Sequence, residues 1–428
     1  MTTRPTPTDL HEGSLLLYCL GIRHKSGTSR PPTLTASDVT DILRQASENG
    51  ISPLLYQRLM TIVPAPELPL AALDHLRDVA MRSAAQSLQI SRELAEVLAV
   101  FRRHDIAVIV LKGAHLGQVV YGNMALRTMG DLDLMVRRGH LSLAEHLLAE
   151  LGYVPQHDPL EQVDYAHHHH TRPLGKPGAA RIDLHWSIAR PIVPFDVDID
   201  GIWRRALPAR LAGVEALVLS HEDLILHLCL HASFDHQFRL GLRACWDILE
   251  VVRCHRSVID WDELVRRGRR WRIGRYVYVT LRLVRELLGV DIPVGTIAAL
   301  EPPEFRSEVI AWARTCVFTP EKDATVSPSM AKLWTSRRLK AKLGVLLQTL
   351  YLPPAAMARI YGTPRNSKRV YLYYPFRWVD LLLRYGRHAW DLWRDDHRIR
   401  NELRAVSERA ALRDWLGYPV NGGPVPGS

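Results

Sequence analysis

The stretch from Ile106 to Trp186 constrains the fold most, because it sets a glycine turn and three carboxylates in a fixed order on short apolar segments. IAVIVL (Ile106–Leu111) is six apolar residues, and its length and β-branching predict a buried strand. Lys112-Gly113 turns the chain, and residues 114–121 read as a helix. GDLDLMV (Gly130–Val136) alternates acid and apolar residues with period two, as a half-buried strand does. Residues 141–151 form an amphipathic helix closed by Gly152, and residues 153–156 a further strand. Residues 165–172 and 180–188 flank PLGKPG, a turn signal, and predict a hairpin. The expectation is a small mixed sheet with helices on one side.

The flanking sequence reads as helical. Residues 1–12 form a loose tail, and helices are expected over 15–22 and 53–61. Ser37-Asp38 is read as the cap of a helix that carries Val39, Ile42, Leu43 and Ala46 on one face. From Leu70 to His104 there is no Gly or Pro, and apolar residues recur at helical spacing, so one long helix is expected. After Pro191 the pattern reads as helical throughout, near 199–206, 220–234, 241–254, 261–270, 273–288, 303–315, 330–350, 353–360, 374–394 and 396–416. The fold class is therefore α+β. The expected division is an N-terminal helical segment (1–104), a core (105–190), a helical domain packed on it (191–300), a basic helical region (301–420) and a disordered tail (421–428).

Composition narrows the function classes. The chain has 428 residues, 47% hydrophobic and 23% charged, enough to bury a sizeable core. Its net charge is +10, yet residues 331–400 alone hold fifteen Lys/Arg against four Asp/Glu. That region is a candidate surface for an anionic partner, with a solvated basic face as the plain alternative. Five cysteines without CxxC spacing point to buried thiols in a reducing compartment. The first residues lack a signal-peptide pattern and no run is long and apolar enough for a transmembrane segment, so a cytoplasmic location is expected.

The organising stretch carries chemistry. Asp131 and Asp133 at i and i+2 on a strand project to one face, while Leu132 and Leu134 bury on the other. Two adjacent carboxylates raise each other's pKa unless a cation lies between them, so folding gives little reason for the pair. Asp183, between Ile182 and Leu184, repeats the pattern on a strand able to lie beside Asp133. Hard carboxylate oxygens suit Mg2+ or Mn2+, which phosphoryl and nucleotidyl transfer use for charge stabilisation. Gly113 lets phosphates approach the backbone, and Lys112 and Arg127 are candidates to neutralise nucleotide phosphates.

With these residues in order, the chain resembles the DNA polymerase β-like nucleotidyltransferase superfamily, and within it a bacterial group of uncharacterised nucleotidyltransferases. The resemblance rests on Leu111-Lys112-Gly113, Tyr121, Arg127, Gly130-Asp131-Leu132-Asp133-Leu134 and Asp183-Leu184-His185-Trp186, and runs to about Cys254, with Leu228–Phe234 also family-like. It implies transfer of a nucleotidyl group from an NTP, ATP above others, to an acceptor such as a small molecule or peptide in peptide or polysaccharide biosynthesis. It also implies that Asp131 and Asp133 hold the metal, and that Asp183 completes the site and orients or deprotonates the acceptor hydroxyl. Ala114 stands where the superfamily often has Ser, which removes one phosphate hydrogen bond.

Other signals are weighed against plainer readings. In the run His167–His170, alternate side chains of a strand face opposite ways, so His168 and His170 are the candidates for substrate contact. His185 is a third, facing Asp183 only if the strand twists, and Trp186 reads as packing. His227 and His231, with Asp223 a turn earlier, have zinc-compatible spacing but read as core. Tyr371–Arg394 mixes aromatic and basic residues and reads as a packed face, with base stacking or a membrane interface as the alternatives. Two further functions stand beside the enzyme: a nucleotide-binding accessory subunit of a biosynthetic assembly, and a nucleic-acid-binding protein using the basic region.

Overall fold

The computed structural model describes residues 14–22, 34–62, 66–156, 168–190, 195–318, 354, 357, 371–377 and 397–417. His167, the expected helix over 330–350 and most of the basic region lie outside these residues, as do most of 353–360 and 374–394 and both expected tails. Residues 1–310 together with 421–428 make one compact unit, and 311–420 a second.

The first unit opens with α1 (Ser14–Cys19), α2 (Ala36–Glu48), α3 (Ser52–Thr61) and α4 (Leu70–Arg103). The cap of α2 is Thr35 and not Ser37-Asp38. The Thr35 side chain accepts from the Asp38 amide while the Asp38 carboxylate takes the Thr35 amide, a reciprocal capping box that satisfies two end groups.

Then follow β1 (Val108–Val110), α5 (Lys112–His115) running into a π-helical turn (Leu116–Val120), β2 (Asp131–Val136), α6 (Leu141–Glu150), β3 (Val154–Pro155), β4 (Leu174–Gly175), β5 (Arg181–His185) and α7 (Ile199–Arg205). The expected 165–172/180–188 hairpin is replaced. Leu174–Gly175, read as part of the turn, is itself a strand pairing β5 and β3, and His170 makes only a single bridge to His185.

Sequence reading also missed a hairpin after Pro191. β6 (Leu207–Leu211) and β7 (Val214–Val218) turn at Ala212-Gly213, both with positive φ. The remaining elements are helices: α8 (His221–Leu230), continued by a π-helical turn His231–Asp235, α9 (Leu242–Cys254), α10 (Trp261–Arg270), α11 (Gly274–Leu288), α12 (Val294–Leu300), which was not expected, α13 (Glu308–Phe318) and α14 (His397–Leu416).

The seven strands form one mixed sheet in the order β3-β4-β5-β2-β1-β7-β6. β2 is parallel to β5 and antiparallel to β1, and β7 joins β1 in parallel. Alternation decides its two faces. Val108, Val110, Leu132, Leu134, Ile182 and Leu184 pack with Ile90, Leu94, Val97, Leu98 and Phe101 of α4 and with Leu147 and Leu148 of α6. Each such side chain contributes roughly 1.5–3 kcal/mol by leaving water. The other face of β2 and β5 carries the acids. Among the described residues, no helix is long and apolar enough to cross a membrane.

Candidate active site

The pairing of β2 with β5 brings the three sequence-predicted carboxylates together. Asp133 and Asp183 are register partners on parallel strands, and Asp131 lies opposite Arg181. All three face a cavity of about 370 Å³, which Lys112, Gly113, Arg127, His170 and His185 also line. Its far wall comes from the turn after α8 and the start of α9, with His231, Asp235, His236 and Arg243.

The three acids differ in surroundings. Asp133 is buried, and Lys112 Nζ donates to its Oδ1 at 2.7 Å while His185 Nε2 meets the same atom at 2.9 Å. Burial alone would raise its pKa, but the ammonium and the imidazole overcome that and hold the carboxyl well below its usual range. Both contacts use Oδ1, and Oδ2 takes part in neither. Asp183 lacks such help. Its Oδ1 is buried without a hydrogen-bond partner among the described residues, although Arg181 Nε approaches to 3.5 Å. Burial first, and the Asp133 charge second, push its pKa up. Asp131 is the most open, its side chain 39% exposed, with Arg181 Nη2 at 3.3 Å.

Lys112 reaches Asp133 because the chain turns sharply out of β1. The Leu111 amide bonds the Asp133 carbonyl at 2.9 Å, and Lys112 itself takes φ +38°, a strained value for a side-chain-bearing residue. Burial works against its charge, yet Asp133 holds its pKa above the ordinary lysine value.

Arg127 stands apart from its expected phosphate role in one respect. Its Nε and Nη2 bind both oxygens of Asp247 at 2.9 Å, and Tyr121 donates to Asp247 Oδ1 at 2.9 Å. The guanidinium is thus chiefly occupied, leaving its Nη1 edge beside Gly113. A Cβ at Gly113 would sit 2.9 Å from that nitrogen, so the glycine makes room for an arginine as well as bordering the cavity.

The histidines also sort differently from expectation. His185 lies on the acid face without any unusual twist, since residues 183 and 185 share a face by alternation. Burial lowers its pKa, its Nε2 lies 2.9 Å from Asp133 Oδ1, and its Nδ1 is buried without a hydrogen-bond partner among the described residues. Residues 168 and 169 are not in a strand, so His169 and His170 both line the cavity, while the His168 ring packs edge-on to His170 with centroids 6.0 Å apart. Asp223 binds Arg205 and Arg267, not His227 or His231.

Sequence reasoning missed Arg181, Arg190, Asp235, His236 and Arg243 at the cavity. The Leu228–Phe234 stretch adjoined two of them, but only the π-helical turn shows that it faces the acids. Asp235 is raised by burial, and His236 is lowered to about 4.

A divalent cation was expected at the three acids. Among the described residues, no three His, Cys, Asp or Glu side chains are gathered into a ready-made cage. The donor set still fits a hard cation. A buried carboxylate oxygen of Asp183 lacks a hydrogen-bond partner, and Mg2+ needs only one or two protein carboxylates when phosphates and water complete its shell.

An α+β core carrying a carboxylate-lined cavity is the class of protein that this geometry defines. Residues 35–289, more than half of the chain, match the family described as uncharacterised nucleotidyltransferase, and the chain belongs to that family. No curated protein matches it. The solution structure of the antibiotic-resistance factor ANT(2'')-Ia is similar at 16% identity over 40% of this chain and 91% of that one, with a TM-score of 0.27, too low for the likeness to carry an argument.

Proposed function

We propose that the β2–β5 face transfers a nucleotidyl group from an NTP, ATP above others, to an acceptor hydroxyl. The observation that carries this reading is the register match of Asp133 with Asp183, with Asp131 two residues earlier on the same face of the sheet. Of these acids Asp183 has its charged form disfavoured by burial and by the Asp133 charge, a cost that a cation entering the cavity would relieve.

Asp131, Asp133 and Asp183 would hold a divalent cation, Mg2+ or Mn2+. When bound, it neutralises charge on the donor phosphates and on the departing pyrophosphate. The chain's own groups supply the rest. The Lys112 ammonium and the outer edge of Arg127 offer positive charge to phosphate oxygens. His185 fixes the orientation of the Asp133 carboxylate. Asp183, on the strand beside Asp133 and facing the same cavity, would orient or deprotonate the acceptor hydroxyl. His170 borders the space where the acceptor enters. The acceptor is a small molecule or peptide, and a role in peptide or polysaccharide biosynthesis follows from the family resemblance alone.

The test incubates the full-length protein with α-labelled ATP, Mg2+ and candidate hydroxyl acceptors. Labelled acceptor and released pyrophosphate should both disappear with Asp133→Asn. Equal transfer by wild type and variant would end this assignment.

A further inference from the structure

A second cavity of about 380 Å³ adjoins the carboxylate chamber, and Arg190 lines both. Its walls carry two arginine–tryptophan stacks. The Arg137 guanidinium lies 4.8 Å from the centre of the Trp203 ring, and that of Arg138 5.9 Å from Trp186. Such a contact lets a guanidinium rest over a ring face while its N–H groups remain able to donate to an oxyanion. Arg190 is partly buried, and its Nε has no hydrogen-bond partner among the described residues. The acid opposing these three cations on the cavity wall is Asp200, 3.7 Å from Arg137 and itself highly exposed. Phe195, Val197 and Ile199 supply an apolar floor.

The position matters as much as the composition. Trp186 follows directly on β5, three residues after Asp183, so the second cavity begins roughly 10 Å along the chain from the acid expected to take the acceptor's proton. A molecule lying in it and passing Arg190 would bring one end to the carboxylates. Lys112 and Arg127 line the first cavity and not the second, whereas Arg137 and Arg138 line only the second, so that pair lies apart from the cations proposed for the donor's phosphates.

We propose that this Arg137–Arg138–Arg190 cavity is the acceptor subsite, and that it takes an acceptor carrying an oxyanion, carboxylate or phosphate, on a partly apolar body. This rests on the nucleotidyl-transfer reading for the word acceptor, but the anion site stands on its own geometry. Planar oxyanions match the guanidinium fork, and an apolar body matches the floor.

Calorimetric titration of the full-length protein tests it, using phenyl phosphate, benzoate and the neutral benzyl alcohol as probes at fixed ionic strength. At least one anion should bind, benzyl alcohol should not, and saturating Mg2+ with a non-hydrolysable ATP analogue should leave the anion bound. Whether phenyl phosphate or benzoate binds more tightly names the source of the oxyanion. Arg138→Gln and Arg190→Gln should each weaken binding about tenfold or more, since each removes a charge-assisted contact. Arg137→Gln, with a side chain half exposed, is a further variant that the fold should tolerate. Absence of anion binding, displacement by the nucleotide analogue, or unchanged affinity in all three variants overturns the proposal. Nucleotide binding without anion binding overturns the subsite and leaves the transferase reading intact. Anion binding without nucleotide binding overturns the acceptor role instead.

Discussion

Two buried ion pairs lie close together in this protein and do opposite things. In Lys112–Asp133, both partners of the carboxylate meet one oxygen, and the pair borders a cavity. In Arg127–Asp247, a bidentate fork occupies both oxygens and Tyr121 adds a third bond. The first carboxylate keeps binding capacity in reserve, and the second has spent it. Burial of charge by itself therefore does not mark a reactive site. On the proposed reading, the unfilled position on Asp133 is what distinguishes it from Asp247, whose oxygens are both taken by Arg127.

That contrast is open to attack at several points. Asp247→Ala should have the largest effect on stability, roughly 3–5 kcal/mol, because it strands a buried guanidinium. Urea unfolding measures it, and a loss below about 1 kcal/mol would erase the scaffold half of the comparison. Asp133→Asn should cost less stability, about 1–2 kcal/mol, while lowering transfer about 10²–10³-fold, the scale for removing one preorganised electrostatic group. The reverse ranking of the two variants in unfolding would break the contrast.

A pH series sharpens the scaffold side. His115 follows Lys112 by one turn and is buried with Nδ1 unpartnered. Burial, then the nearby His255 and His221, lower its pKa to about 3, against about 6.5 in an unfolded chain. Between those values the unfolded chain binds the proton and the folded one does not. Stability from this group is therefore complete above pH 6.5 and falls as pH drops toward 3, by up to about 1.4 kcal/mol per pH unit. His115→Gln should flatten the acid side of a thermal-melting series by that amount. The smallest effect belongs to the rim. Thr35→Ala removes the α2 capping box for about 1 kcal/mol, and it should add to Asp133→Asn without coupling, since the two sites share no partners.

How much of this could be read from sequence depends on how local each feature is. β2 was legible because period-two alternation is encoded within Asp131–Val136 itself, and α4 because 34 residues keep helical spacing without a break. The β6–β7 hairpin was not. Its Ala, Leu, Arg and Glu residues are good helix formers, and the pairing of β7 with β1 across more than a hundred residues overrides that preference. The turn at Ala212-Gly213 was the available signal. The same distance hid the partner of Arg127, since nothing near residue 127 indicates a carboxylate 120 positions later. Asp235 stayed hidden for a third reason: a π-helical turn rotates it toward the cavity, and regular helical spacing cannot report that. The carboxylates on β2 and β5 were legible as a set because each sits on a strand whose apolar neighbours fix its face.

The central claim is that this set handles a nucleotide. Its most direct measurement is Mg2+-dependent release of pyrophosphate from ATP by the full-length protein in the presence of acceptor, compared with Asp131→Asn, Asp133→Asn and Asp183→Asn, each confirmed folded by its melting curve. The account predicts release by the wild type and loss of about a hundredfold or more in each variant. Folded variants that release pyrophosphate at the wild-type rate would contradict it.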